Sequence, residues 1–142
     1  MPAVGALLAA AVLSGALLTG CSFGWTPPPE ICVPELDVQP TLASPGESVE
    51  VTTARACPLE PPAGGWLVRV QPEGGQSHWV DGRVQPSSDG SFTIAMMLPP
   101  DMPTGPALAS IVNWWEVAEC PDNASCAAAE GSFEVVPPQI SD

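Results

Sequence analysis

The sequence has almost no positive charge. Among its 142 residues the only strong cations are Arg55, Arg69 and Arg83, and there is no lysine. The formal net charge is -13. A chain this acidic lacks the basic surface that nucleic acids and anionic lipid headgroups require, so we expect neither as a direct partner. The excess of carboxylates favours solubility, with attraction of divalent cations or basic partners as the more specific alternative.

Groups suited to catalysis or metal binding are equally sparse. His78 is the only histidine, and no two cysteines have CxxC spacing. We therefore predict a protein that is not an enzyme, with no metal and no cofactor. His78 is interpreted as a partly exposed histidine at a strand edge. Asp81, Asp89 and Asp101 lie near glycines, which indicates turns, and a calcium site is the alternative.

The first twenty residues carry no charged side chain and end in a recognisable motif. Residues 1–20 are rich in Ala, Val and Leu, and the run Leu18-Thr19-Gly20-Cys21 follows. This run resembles the lipobox of bacterial lipoproteins, and the segment before it resembles their signal peptides. It departs from that pattern in having no Lys or Arg near Met1. A plain secretory signal and an uncleaved membrane anchor are the alternatives.

The lipobox resemblance implies a location. Cys21 would carry a diacylglyceryl group and become the first residue of the mature chain, attached to the extracytoplasmic face of the cell membrane through its lipid. Residues 21–30 would form a stalk stiffened by Pro27-Pro28-Pro29, because consecutive prolines favour an extended polyproline II helix. We expect three regions: a signal peptide (1–20), a lipidated stalk (21–30) and one domain (31–142).

Four cysteines remain once Cys21 is assigned to the lipid. An even number in an exported domain indicates two disulfides, and four cysteines allow three connectivities. Cys32 and Cys57 flank a strand pair that turns near residues 44–47, while Cys120 and Cys126 bracket a short polar loop. The pairing Cys32–Cys57 with Cys120–Cys126 is favoured, although connectivity does not follow from sequence alone.

Beyond the stalk, short runs with β-strand patterning alternate with segments rich in Pro, Gly, Asp and Ser. We predict an all-β fold, a single seven-stranded sandwich. The expected strands are residues 32–38, 48–52, 66–70, 79–84 (interrupted at Asp81-Gly82), 92–98, 108–115 and 132–136. Pro103 and Pro106 are expected in the connection before the sixth strand, since proline cannot donate to a ladder.

Several segments resemble bacterial immunoglobulin-like (Ig-like) domains. These are residues 40–52 with their Pro45-Gly46 turn, residues 89–107, and the closing run 131–135. The resemblance implies an Ig-like β-sandwich but no particular function, because such sandwiches serve adhesion, scaffolding and ligand binding.

A binding patch is predicted at one end of the sandwich. Adjacent residues on a strand face opposite ways, so one of Trp114 and Trp115 should reach the surface beside an acidic loop closed by a disulfide. The predicted binding residues are Trp114, Trp115, Glu116, Glu119 and Asp122. We expect an interaction module of the cell envelope that binds a protein or a glycan. The alternative is an accessory lipoprotein that binds a small ligand or calcium.

Overall fold

A computed structural model describes residues 31–120 and 125–139. The predicted signal peptide, Cys21, the predicted stalk and Asp122 lie outside the described residues. The described residues form eight strands and one short 3₁₀ helix: β1 (Glu35–Gln39), β2 (Leu42–Ala43), β3 (Ser48–Arg55), β4 (Trp66–Pro72), β5 (Val80–Val84), β6 (Thr93–Met97), β7 (Gly105–Ile111), the helix Trp114–Glu116 and β8 (Glu130–Val135).

The strands form two sheets, so the predicted all-β sandwich is confirmed. One sheet has three strands in the order β1-β3-β6, and the other has five in the order β2-β8-β7-β4-β5. The strand count is eight rather than the seven predicted. The additional strand is β2, in which Leu42 and Ala43 pair parallel with the end of β8. Two residues are too few to show an alternating pattern, so β2 was not predictable from the alternation of apolar residues.

The predicted turn between β1 and β3 is present. The Glu47 amide donates to the Ser44 carbonyl at 3.0 Å, and Gly46 has φ +83°. This turn does not directly join a β-hairpin, because the chain first crosses to the other sheet as β2. The antiparallel register of β1 and β3 nevertheless brings Glu35 opposite Arg55, which leaves Cys32 and Cys57 close together just beyond the paired residues.

Two details of the predicted strands were wrong. Pro106 lies within β7 rather than before it. Its carbonyl accepts a hydrogen bond from the Glu73 amide just beyond the end of β4, so proline lacks only the reciprocal bond at the last pair of the ladder. Asp81-Gly82 does not interrupt β5, because Gly82 faces inward. A Cβ there would lie 2.7 Å from Ile94 Cδ1 of the opposing sheet, so glycine makes room for the core.

The core lies between the two sheets and follows the predicted alternation. In β4 the inward Trp66, Val68 and Val70 are buried, while Leu67 and Arg69 on the outer face are partly exposed. The other buried side chains of the core include Leu36, Val38, Val49, Val51, Phe92, Met96, Leu98, Ala107, Ala109, Ile111, Phe133 and Val135. Burial of this apolar surface is the main force that holds the sheets together.

The sandwich has two distinct ends. At one end β1 and β8 begin side by side, since a Cβ on Gly131 would lie 2.3 Å from the Leu36 carbonyl oxygen. We call it the stalk end, because the described chain enters there at residue 31. It includes the β7–β8 connection. The opposite end, which we call the distal end, holds the β4–β5 and β6–β7 connections.

Candidate functional site

The paired tryptophans lie on a 3₁₀ helix, not on a strand as predicted. β7 ends at Ile111, and Asn113 then links the chain to β4. The Asn113 side chain accepts a hydrogen bond from the Leu67 amide at 2.8 Å and donates to the Gly65 carbonyl at 3.2 Å. These bonds hold the chain where it leaves the sheet, so the argument that Trp114 and Trp115 face opposite sides of a strand does not apply.

The predicted binding residues that the structure describes differ in their exposure to solvent. Trp114 is 1% exposed and packs on Trp66, with ring centroids 5.0 Å apart, so it belongs to the core. Trp115 is half-buried against that core, while Glu116 and Glu119 are exposed. Asp122 lies outside the described residues. A partner at this surface would therefore contact the two glutamates and part of Trp115, but not Trp114.

Two exposed valines extend this surface. Val112 is 45% exposed and Val117 is 39% exposed. Both lie on the connection that carries Glu116 and Glu119. We call these four residues, together with Trp115, the stalk-end patch. It combines apolar side chains with carboxylates and has no nearby arginine in the β7–β8 connection.

Both favoured disulfides are present. Cys32 and Cys57 are bonded with their Cα atoms 5.8 Å apart, and Cys120 and Cys126 with theirs 6.0 Å apart. The first joins the chain before β1 to the chain after β3, and the second closes part of the β7–β8 connection. Both therefore belong to the stalk end. The bridges fix the chain segments that surround the stalk-end patch.

The three candidate calcium ligands are not brought together. Asp81 lies on the outer face of β5, Asp89 in the β5–β6 turn at the stalk end, and Asp101 in the β6–β7 connection at the distal end. Asp89 accepts hydrogen bonds from the Ser91 hydroxyl and amide, which lower the pKa of its carboxyl. Across residues 31–120 and 125–139, no group of three or more His, Cys, Asp or Glu side chains could hold a metal ion.

An open cleft of about 350 Å³ lies at the distal end. Its walls come from the β4–β5 connection and the β6–β7 connection. The lining residues are Gln76, Ser77, His78, Trp79, Pro99 and Asp101. Backbone geometry also marks this place, because His78 is the one non-glycine residue with positive φ, +64°, in the described part of the chain. This conformation is uncommon outside glycine, although histidine adopts it more readily than most residues do.

Trp79 is held in place on the surface by an ion pair. The Arg69 guanidinium lies over the Trp79 ring, with Cζ 4.8 Å from the ring centroid. Arg69 is itself fixed by Asp81, through Nε to Oδ1 at 2.7 Å and a second nitrogen to Oδ2 at 2.8 Å. The hydrogen bonds from Arg69 lower the pKa of Asp81. Although its indole is 44% exposed, Trp79 is thus supported from one side.

A serine, a histidine and an aspartate follow one another in the cleft. The Ser77 hydroxyl lies 2.8 Å from His78 Nδ1, and His78 Nε2 lies 3.5 Å from the Asp101 carboxylate. The second distance exceeds an ordinary hydrogen bond. The side chains of His78 and Asp101 are 40% and 72% exposed, so water reaches both. A catalytic triad instead uses a buried carboxylate to orient the histidine. That the protein is not an enzyme stays a prediction.

Comparisons with known proteins give no assignment. No protein-family model matches this sequence, and no curated protein is significantly similar to it. Within residues 31–120 and 125–139, no helix has the length and apolar character needed to cross a bilayer. A functional interpretation therefore depends on the two surfaces described above.

The sequence did not predict that the residues lining the cleft come together. It identified His78 as a partly exposed histidine at a strand edge; the exposure is confirmed, but His78 lies in the β4–β5 connection, before β5 begins. It did not associate His78 with Asp101, because these residues are distant in sequence and meet only through the packing of two connections. The run Gln76-Ser77-His78-Trp79, polar and aromatic at the start of an edge strand, was the available signal.

Proposed function

We propose that this protein is a lipid-anchored, extracytoplasmic Ig-like module that docks onto a protein partner in its own membrane through the stalk-end patch. The observation that carries the proposal is the exposure of Val112 and Val117 beside the two glutamates Glu116 and Glu119. Aliphatic side chains bordered by charge are typical of surfaces that form interfaces.

The two disulfides support an extracytoplasmic location. Such bonds persist in oxidising compartments and are rare in the cytosol. The lipobox Leu18-Thr19-Gly20-Cys21 supplies the anchor in this proposal. Neither feature depends on the other, since Cys21 precedes the domain and takes no part in its disulfides.

The place where the chain enters the domain supports an orientation. The predicted lipid on Cys21 is followed by the stalk, and the domain begins with Ile31 and Cys32 at the stalk end. A fully extended stalk in polyproline II geometry would reach roughly 30 Å. The stalk end would therefore face the membrane, and a partner bound there would itself lie close to the membrane surface.

The charge of the patch suggests the chemistry of that partner. Glu116 and Glu119 flank the exposed Val117 in the sequence, and the whole chain is strongly acidic. Complementary surfaces pair unlike charges around an apolar centre. We infer that the partner presents an apolar surface bordered by Lys or Arg.

Site-specific photo-crosslinking in intact cells tests this proposal. A crosslinking residue is placed at Val117 in the full-length protein, and a control at Met97, which is 62% exposed on the opposite sheet. We expect one discrete membrane-protein adduct from position 117 and none from position 97. The adduct should weaken at least tenfold when Glu116 and Glu119 are both changed to Lys.

Two results would count against it. Equal adducts from positions 97 and 117 would mean that the stalk-end patch is not the docking surface. An undiminished adduct after release of the protein by Cys21→Ser would mean that the partner does not require membrane proximity.

A further inference from the structure

We infer that the distal cleft is a binding site for neutral saccharides, with Trp79 as the stacking surface. Only the access of the cleft to envelope glycans rests on the proposed anchoring, while binding itself would be a property of the domain. The cleft lies at the end of the sandwich opposite the stalk-end patch, so the two surfaces do not compete. It is an open depression of about 350 Å³, on whose surface one or two sugar rings could lie.

The first argument is the exposure and fixation of Trp79. A large aromatic side chain normally buries its ring, yet this indole is 44% exposed and part of the cleft wall. Its position is set by Arg69, which is held in a two-point contact with Asp81. Because the ring is already ordered, a ligand that stacks on it loses less entropy on binding.

The second argument is the set of polar groups around the ring. Gln76 offers both amide donors and an acceptor, Ser77 a hydroxyl, His78 a ring nitrogen and Asp101 a largely exposed carboxylate. Vicinal sugar hydroxyls each donate and accept hydrogen bonds, so a mixture of donors and acceptors suits them. The 3.5 Å separation of His78 Nε2 from Asp101 leaves both groups able to bond a ligand.

The third argument concerns charge and excludes other small ligands. An anion would meet the Asp101 carboxylate in a chain of net charge -13. A cation would be attracted by that charge, but the Arg69 guanidinium already lies over the aromatic ring on which it would bind. A second cation on the same ring is repelled by the first. A pyranose, with an apolar C–H face and polar edges, meets neither difficulty.

Direct titration of the purified full-length protein tests the inference. Calorimetry and ligand-observed NMR are carried out in a polyoxyethylene detergent, because glucoside and phosphocholine detergents carry competing headgroups. The probes are cellotetraose, mannotetraose and chitotetraose, with tetramethylammonium chloride as the cationic comparison. We expect a Kd between about 10 µM and 1 mM for at least one tetrasaccharide.

Variants connect binding to the cleft. Trp79→Ala should raise Kd at least tenfold, and Trp79→Phe, which retains a ring, should restore part of the affinity. Asp101→Asn should weaken binding about three- to tenfold. Met97→Ala removes an exposed side chain from the other sheet and should leave Kd unchanged. Circular dichroism confirms that each variant is folded.

Three outcomes would overturn the inference. These are the absence of binding to all three tetrasaccharides at 10 mM, affinity that survives Trp79→Ala in a folded protein, and tighter binding of tetramethylammonium than of any sugar. None of these results concerns membrane attachment or crosslinking at Val117, so failure here is distinguishable from failure of the proposed function.

Discussion

A single asparagine accounts for the different positions of the two adjacent tryptophans. The Asn113 side chain satisfies the Leu67 amide and the Gly65 carbonyl, and is itself buried at 7% exposure. A buried polar side chain with partners on a neighbouring strand fixes the local backbone, because leaving those partners unsatisfied is costly. Trp114 is consequently directed into the core, and Trp115 remains at its edge.

Truncation of the two tryptophans should therefore lower the free energy of unfolding of the protein by different amounts. Trp114→Ala should lower the free energy of unfolding by about 3–5 kcal/mol, as expected for a buried aromatic residue. Trp115→Ala should cost only about 1 kcal/mol, because the ring is half-buried. Urea denaturation followed by circular dichroism measures both. Similar losses for the two variants would contradict the assignment of Trp114 alone to the core.

The Arg69–Asp81 pair should make stability depend on pH. The pKa of Asp81 is lowered in the folded protein, chiefly by hydrogen bonds from Arg69. Its contribution is therefore present above the unfolded pKa, about 4, and is lost as pH falls through the folded value. Asp81→Asn should reduce stability by about 0.5–1 kcal/mol at pH 7, since the pair is partly exposed, and by less at pH 2.

Denaturation at these two pH values checks the prediction. Glu119→Gln is the charge-matched control, since it removes one carboxylate from an exposed loop position. A deficit of Asp81→Asn that is equally large at pH 2 would show that lost packing, rather than the ion pair, causes it.

At the scale of elements, two glycines in turns provide a matched comparison. Gly90 and Gly46 have nearly the same φ, +87° and +83°. A Cβ on Gly46 would meet nothing within 4 Å, whereas one on Gly90 would lie 1.9 Å from the Cys57 carbonyl oxygen. The turn between β5 and β6 therefore packs directly on the chain that carries the Cys32–Cys57 bridge.

Comparing the stability losses of the two alanine variants distinguishes the cost of backbone strain from the cost of a steric clash. Gly46→Ala should cost about 1 kcal/mol, the strain of a left-handed conformation alone. Gly90→Ala should cost at least about 2 kcal/mol more, because the backbone of Cys57 must move to admit the methyl group. Thermal and chemical denaturation provide the comparison. Equal losses would mean that the β5–β6 turn does not pack on Cys57 as described.

The alternation of apolar and polar residues was sufficient to predict most strands. The positions of the four cysteines around the predicted turn and the short polar loop were sufficient to favour the two disulfides that the structure contains. Val49 and Val51, for example, are buried on one face of β3 as their spacing predicts. Features that depend on contacts between distant segments were not predictable. Gly82 faces the core because Ile94 of the opposing sheet leaves no room there for a Cβ. The chain leaves the strand before Trp114 because the Asn113 side chain accepts a hydrogen bond from the Leu67 amide. The distal cleft likewise requires two connections to meet.

On the scale of the whole molecule, the two ends of the sandwich have different roles in our proposals. The stalk end contains both disulfides and the point where the chain enters the domain, while the distal end contains the cleft beside Trp79. Anchoring through Cys21 would hold one end near the membrane and turn the other toward the surrounding envelope. Attachment and folding should then be separable, because Cys21 lies outside the described sandwich.

Cys21→Ser should abolish partitioning into the detergent phase and leave the thermal unfolding temperature unchanged. Cys57→Ser should do the opposite, retaining partitioning but destabilising the domain by about 2–5 kcal/mol through loss of the bridge to Cys32. Detergent phase separation and thermal denaturation are measured for both variants. If Cys21→Ser unfolds the domain, or if the processed variant still enters the detergent phase, the lipobox interpretation is wrong. Proper partitioning of Cys57→Ser shows in turn that the anchor does not need a stable sandwich.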